Sequence, residues 1–194
     1  MRRMVTAIIL LFLVGQSHAL PNGIGDMADD GCVCHGGAGG PSVSLVGLPE
    51  VYNSSMQYNI TLTIESEVEA NEVQGGFRIL ISEGEIVGDG WQIMEDGYTH
   101  STEINDRREW SAVWIAPEEN DRLASFIIHA NAVNGDNSPT NDEWDSHSIA
   151  VPGLEYVGDT SAPELSNSLS NSELAIGGVA ILLLVGLTIM AVRD

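Results

Sequence analysis

Lysine is absent from the 194-residue chain, and its seven basic residues are all arginines. Against 28 acidic residues this leaves a formal net charge of −21. Such a chain has no basic footprint for phosphate groups, which excludes a nucleic-acid binder. Cysteine is scarce too: only Cys32 and Cys34 occur, which excludes a disulfide-rich scaffold. Aromatic residues make up 6% of the chain. No window of the central region has the period of an amphipathic helix, and no internal repeat is visible. No Ser/His/Asp order or paired carboxylates stand out, and among so many acids any pairing would arise by chance. The expectation is therefore not an enzyme, and at most an electron carrier.

What is present begins with the two ends. Arg2 and Arg3 precede an apolar run from Met4 to Val14, and Ser17-His18-Ala19 supplies small residues for cleavage. This predicts a signal peptide over 1–19, with an uncleaved anchor as the alternative. A second apolar run extends from Leu174 to Val192. At about 1.5 Å per residue it reaches about 28 Å, close to a bilayer's hydrocarbon thickness. The reading is a transmembrane helix over 174–192 with a cytoplasmic tail of 193–194, Arg193 lying on the positive-inside side. A processed sorting tail is the alternative. Residues 160–173 are rich in Ser and Asn and read as a solvated stalk. The expected localisation is the cell membrane, single-pass, with the domain on the extracytoplasmic side.

Residues 20–159 are enough for one core. Their apolar pattern has period two. Met56, Tyr58, Ile60, Leu62 and Ile64 alternate with polar residues, as do Phe77, Ile79 and Ile81, then Trp110, Ala112, Trp114 and Ala116. Leu123 to Val133 is apolar on both faces and reads as a central strand. Shorter candidates are Val43–Leu48, Trp91–Met94, Tyr98–Ile104 and Ser146–Val151. With Gly, Asn, Asp and Pro clusters between them, seven or eight short strands predict an all-β, antiparallel, immunoglobulin-like sandwich.

All acidic residues except Glu173 and Asp194 lie between positions 20 and 172, against Arg78, Arg107, Arg108 and Arg122. That density favours solubility and suits saline surroundings, where salt screens the repulsion. Its plain reading is a solvated face. Calcium is the alternative, because Asp136, Asn137, Asn141, Asp142, Glu143 and Asp145 fall in one predicted loop of hard oxygen donors. The spacing is not that of an EF-hand. Two tripeptides, at Asn53 and Asn59, have the form of glycosylation acceptors.

One segment suggests chemistry: Gly31-Cys32-Val33-Cys34-His35-Gly36, the CxCH motif over 31–36. Three readings compete. A c-type haem would bond its vinyl groups to thiols, with His35 as proximal iron ligand, although the usual spacing is C-x-x-C-H. Two thiolates and an imidazole also suit Zn or Cu, with a further ligand from His100, His129 or His147. A local disulfide across one residue would be strained and easily reduced. Of the other histidines, His129 sits on an apolar strand and reads as a satisfied core residue, and His147 reads as exposed. His100, flanked by polar strand residues, is the best candidate for a second axial ligand.

The order of short motifs carries a resemblance. Cys34-His35-Gly36 is followed by Tyr98-Thr99-His100, Arg108-x-Trp110, Trp114-x-Ala116-Pro117, Phe126 and Ala130-Asn131-Ala132-x-Asn134-Gly135. This order resembles the choice-of-anchor V domain proteins, relatives of the reelin-type (Reeler) β-sandwich found on bacterial and archaeal surfaces. The resemblance covers roughly residues 31–151. It implies a haem-bearing sandwich, with Cys34 and His35 as attachment and proximal ligand and His100 as candidate distal ligand. Cys32 departs from the family's spacing.

The expectation is thus a membrane-anchored surface sandwich that binds one haem c at Cys32, Cys34, His35 and His100 and carries electrons to a redox partner. The alternative is a non-catalytic surface adhesion module recognising a protein or glycan. In that case the cysteines are structural or hold Zn or Cu, and Asp136, Asp142 and Asp145 are the calcium candidates.

Overall fold

The structure is a computed structural model that describes residues 20–32, 40–136, 138–165 and 171–193. The expected signal peptide, together with Cys34, His35 and Asn137, lies outside the described residues.

The described residues form nine strands: β1 (Ser42–Val46), β2 (Gln57–Glu65), β3 (Gly75–Ile81), β4 (Glu85–Val87), β5 (Trp91–Met94), β6 (Gly97–His100), β7 (Glu109–Ile115), β8 (Leu123–Ala132) and β9 (Glu143–Pro152). They pair antiparallel in two sheets, ordered β1-β2-β7-β4 and β5-β6-β3-β8-β9. The chain is an all-β sandwich, as its period-two pattern predicts.

Alternation explains which side chains meet. In β2 it turns Ile60, Leu62 and Ile64 inward. Their neighbours across the ladder are Ala112 and Trp110 of β7, with Tyr58 opposite Trp114. The second sheet answers with Phe77 and Ile79 of β3 and Phe126 and Ile128 of β8, each at most 1% exposed. Indole rings join the layers, since Trp110 meets Phe77 at 5.1 Å and Trp114 meets Phe126 at 5.2 Å, both edge-on. Full burial of a side chain of this size contributes about 1.5–3 kcal/mol, so these contacts dominate the core.

The strand pattern differs from expectation in three places. β4 was not anticipated, because three residues with one inward apolar side chain, Ile86, are too few to show alternation. The run Tyr98–Ile104 divides: β6 stops at His100, and Thr102–Ile104 forms a 3-10 turn capped by the Ser101 hydroxyl. β9 starts at Glu143, so Glu143 and Asp145 pair with Ala132 and Ala130 instead of sitting in a loop.

The larger departure concerns the five-stranded sheet. A sheet with one solvated face would expose the residues between Phe77 and Ile79, yet Arg78 is fully buried. Every residue of β6 is buried as well. Residues 20–32 cover this outer face. Beneath them, the Arg78 guanidinium donates to the carbonyls of Met94 and Glu95 in the β5–β6 turn. Glu95 and Asp96 both have positive φ there, 46° and 63°, a geometry that Asn-Gly usually supplies. The guanidinium thus holds a hairpin turn made by two acidic residues. Gly97 follows because an added Cβ would lie 2.4 Å from the Arg78 Cζ.

Helix α1 (Asn171–Arg193) is a separate unit. Among the described residues, no helix is long and apolar enough to cross a membrane. This overturns the expectation of a single-pass membrane protein. The first turn of α1 carries Asn171, Ser172 and Glu173. The Ser148 hydroxyl of β9 donates to the Pro163 carbonyl at 2.8 Å.

Candidate functional site

The N-terminal segment builds the site. It enters with Pro21 and Asn22, whose carbonyls accept from Asn105 Nδ2 at 3.0 Å and Gln92 Nε2 at 2.8 Å. The Ile24 N–H then donates to Thr99 Oγ1 of β6 at 3.1 Å. Arg78 Nε reaches Asp29 Oδ1 at 2.8 Å from β3. From β8, His129 Nε2–H donates to the Asp29 carbonyl at 2.9 Å, while its Nδ1 accepts from the Ser146 hydroxyl at 2.5 Å. The segment ends at Gly31, whose φ is +121° and where a Cβ would press 2.6 Å from the Trp144 ring of β9. One segment therefore contacts all five strands of the sheet.

His129 is a satisfied buried histidine, with burial holding its pKa below the ordinary value and the Asp29 contacts offsetting part of that shift. His147 is exposed. Both match the reading from sequence.

Between this segment and the end of the sheet lies a cleft of about 170 Å³, lined mainly by apolar atoms. Cys32 and His100 both face it, so two of the four expected cofactor residues are brought together. Cys32 is 7% exposed. Gly31 packs on Trp144, and a Cβ on Gly40 would meet the Glu143 carboxylate.

His100 is 7% exposed and packs on Phe77, with ring centroids 5.8 Å apart. Its ring fills the space that a Cβ on Gly76 would need, 2.2 Å from Cε1. Nδ1 accepts the Phe77 N–H at 3.1 Å; the longer contact to the Phe77 carbonyl, 3.4 Å, is the weaker of the two. The proton of the neutral ring is therefore on Nε2. Burial lowers the pKa from 6.5 to about 4, with the carbonyl contact pulling back slightly. His100 is neutral in ordinary conditions.

This shift predicts a pH dependence. The unfolded chain takes up the proton near pH 6.5 and the folded chain only near 4, so stability is complete above pH 6.5 and falls as the pH drops towards 4. The loss amounts to about 3 kcal/mol at most. His129 acts in the same direction, so the measurement is a comparison: denaturant midpoints of wild type and His100→Gln from pH 7.5 to 4. The wild type is expected to show the steeper fall.

The same geometry bears on the haem reading. A histidine that ligates through Nε2 donates its other N–H to a carbonyl, carboxylate or water. Here Nδ1 faces an N–H donor and Nε2 holds the proton, the reverse of what an axial ligand needs. The shorter Nδ1 contact thus favours a ring protonated at Nε2, and only the longer one to the Phe77 carbonyl suits an axial ligand. The described residues contain no group of three or more His, Cys, Asp and Glu able to hold a metal ion.

The acidic loop is engaged elsewhere. Asp142 is buried and accepts the Asn134 N–H at 3.1 Å. Asp136 accepts from the Ser138 N–H and from Asn134 Nδ2, and Asp145 lies on β9. Among the described residues, Asp136, Asp142 and Asp145 do not form a group of three able to hold a metal ion. Asp142 instead lines the cleft, together with Asn131.

Arg78 and Asp29 carry no site role in the sequence reading, and Asn131 enters it only as part of the Asn-Ala-x-Asn-Gly motif. Arg78 offered one signal: it is the only cation within an alternating strand. Asp29 offered none, because its role depends on the path of an irregular segment.

No family model matches the chain, and no curated protein matches it significantly. Among solved structures the chain is similar to the Reelin-N domain of F-spondin, with 17% identity and a TM-score of 0.42, over 62% of this chain and 93% of that one. It is similar to the human F-spondin reeler domain, with 17% identity and a TM-score of 0.40, over 59% and 91%. A conjugative transposon lipoprotein from Bacteroides eggerthii shows 15% identity and a TM-score of 0.37, over 57% and 95%. At such TM-scores these likenesses carry no functional argument. The sandwich stands on the chain's own strands, and the function has to come from the cleft.

Proposed function

We propose that the chain is a non-catalytic binding module of the cell-surface kind, which receives its partner in the cleft beneath the N-terminal segment. One observation carries this reading. An apolar cleft is lined by two polar side chains, His100 and Asn131, whose residues are largely buried while the His100 Nε2 and the Asn131 amide make no hydrogen bond among the described residues and stay open to the cleft. Polar groups that converge on an apolar cleft with hydrogen-bonding capacity to spare mark a place where a ligand can bind. The only close Ser–His pair in the described hydrogen bonding, Ser146 and His129, does not line the cleft and serves to hold Asp29. The acid-rich surface discourages non-specific contacts with anionic surfaces.

The test uses the full chain against panels of cell-surface proteins and glycans, alongside Val73→Trp. Val73 is half-exposed at the cleft, so an indole there blocks the opening without entering the core. Saturable binding is expected, lost at least tenfold in Val73→Trp at an unchanged melting temperature. Binding that ignores this substitution would remove the cleft from the account. For haem, co-expression with a c-type maturation system is expected to give no Soret band; a Soret band would restore the electron-transfer reading.

A further inference from the structure

The cleft's lining is specific enough to name a ligand class, and the following rests on the binding reading above. We infer that the cleft takes a small uncharged group with an apolar body and one amide, such as an N-acyl group. Three observations converge on this. Gly76 pairs with Asn131 across the β3–β8 ladder, and the His100 ring occupies the space beside the Gly76 Cα. The two polar side chains therefore flank a single glycine, and their free atoms serve the same small volume. His100 is 7% exposed and presents Nε2–H, a donor only. Asn131 is 9% exposed and presents an amide that both donates and accepts. A donor beside an amide matches a ligand amide, whose carbonyl can receive His100 and whose N–H and C=O can pair with Asn131. The rest of the lining, including Phe77, Ile24 and Met27, is apolar and accepts the body of the ligand.

Charge and hydration count against the competing classes. An anion would meet Asp142 in the lining and the chain's net charge of −21. A cation would be drawn by Asp142 and the net charge, but it would face the His100 N–H, a donor that cannot accept from it, and would lose its hydration in a cleft lined mainly by apolar atoms, so benzylammonium is the sharpest competitor in the test. The volume, about 170 Å³, suits a group of aromatic-ring size.

The experiment measures binding of four probes to the full chain by ligand-observed NMR titration. They are N-benzylacetamide, propylbenzene, phenylacetate and benzylammonium. N-benzylacetamide is expected to bind about tenfold tighter than propylbenzene, because each hydrogen bond made to a polar group in the cleft adds about two- to tenfold. Neither ion should bind measurably. His100→Phe and Asn131→Leu should each reduce the preference for the amide several-fold and leave propylbenzene unchanged. Should His100→Phe fail to fold, Asn131→Leu together with the imidazole ¹⁵N shift of wild type on amide addition decides the matter. Equal affinity for N-benzylacetamide and propylbenzene, tighter binding of either ion, or no binding of the amide would overturn the inference. Partner binding that disappears in Val73→Trp while all four probes fail would overturn the ligand class alone and leave the binding reading standing.

Discussion

Replacing Arg78 with methionine is expected to lower the melting temperature by about 10 °C and to expose residues 20–32 to proteolysis. The guanidinium is fully buried and makes four kinds of contact: the Asp29 carboxylate and the carbonyls of Ile24, Met94 and Glu95. Methionine fills much of the volume but donates nothing. Removing one partner of a buried pair costs about 3–5 kcal/mol, chiefly because the other groups are left without compensation. Asp29 keeps 35% of its side chain exposed, so solvent screens the ion pair and most of the loss lies with the stranded carbonyls. In a chain of this size, 1 kcal/mol moves the midpoint by about 2–4 °C. The β5–β6 turn, with two acidic residues at positive φ, loses its support in the same step. Thermal melts and limited proteolysis of the full chain check this. A shift under 3 °C, with the N-terminal segment still protected, would show that Arg78 is not its anchor.

Truncating Trp114 to alanine should do comparable damage by a different route. The side chain is fully buried, stacked on Tyr58 at 5.6 Å and edge-on to Tyr52 and Phe126. Its Nε1–H donates to the Glu83 carbonyl at 3.2 Å. Large-to-small substitution of a buried indole costs about 3–5 kcal/mol through lost transfer energy and the cavity left behind. The control is Ile93→Ala, at a position 65% exposed, where a change within about 0.5 kcal/mol is expected. Urea denaturation of both variants separates the two outcomes, and similar midpoints would contradict the proposed core.

Much of the sandwich could be read from the residues, for a simple reason. Tyr58, Ile60 and Leu62 face Trp114, Ala112 and Trp110 through alternation alone, and alternation is a local property of the chain. What escaped was non-local. Arg78 occupies a polar position in β3, and only the return of residues 20–32 across the sheet explains its burial. The polar flanks of His100 suggest a metal ligand. The Phe77 N–H, which fixes its tautomer, lies 23 residues away in sequence and could not be seen. Cys32 and His100 do share a cleft. The acidic run looked like one oxygen-rich loop, yet two of its members belong to β9, because pairing with Ala130 and Ala132 extends the strand into it. The lack of lysine also gains a meaning. Of the four arginines between positions 20 and 172, Arg78 and Arg108 are spent on internal carbonyls, and Arg107 and Arg122 pair with adjacent aspartates. Planar guanidinium groups suit such multiple acceptance better than a point charge would.

The central claim is that His100 offers a proton to a ligand in the cleft and does not offer a lone pair to a metal. Long-range ¹H–¹⁵N correlation of the imidazole in the full chain at pH 7 tests it most directly. The expected result is a neutral ring protonated at Nε2, with a pKa of about 4. A ring protonated at Nδ1, with its Nε2 lone pair directed into the cleft, would contradict the account and return His100 to the metal ligands.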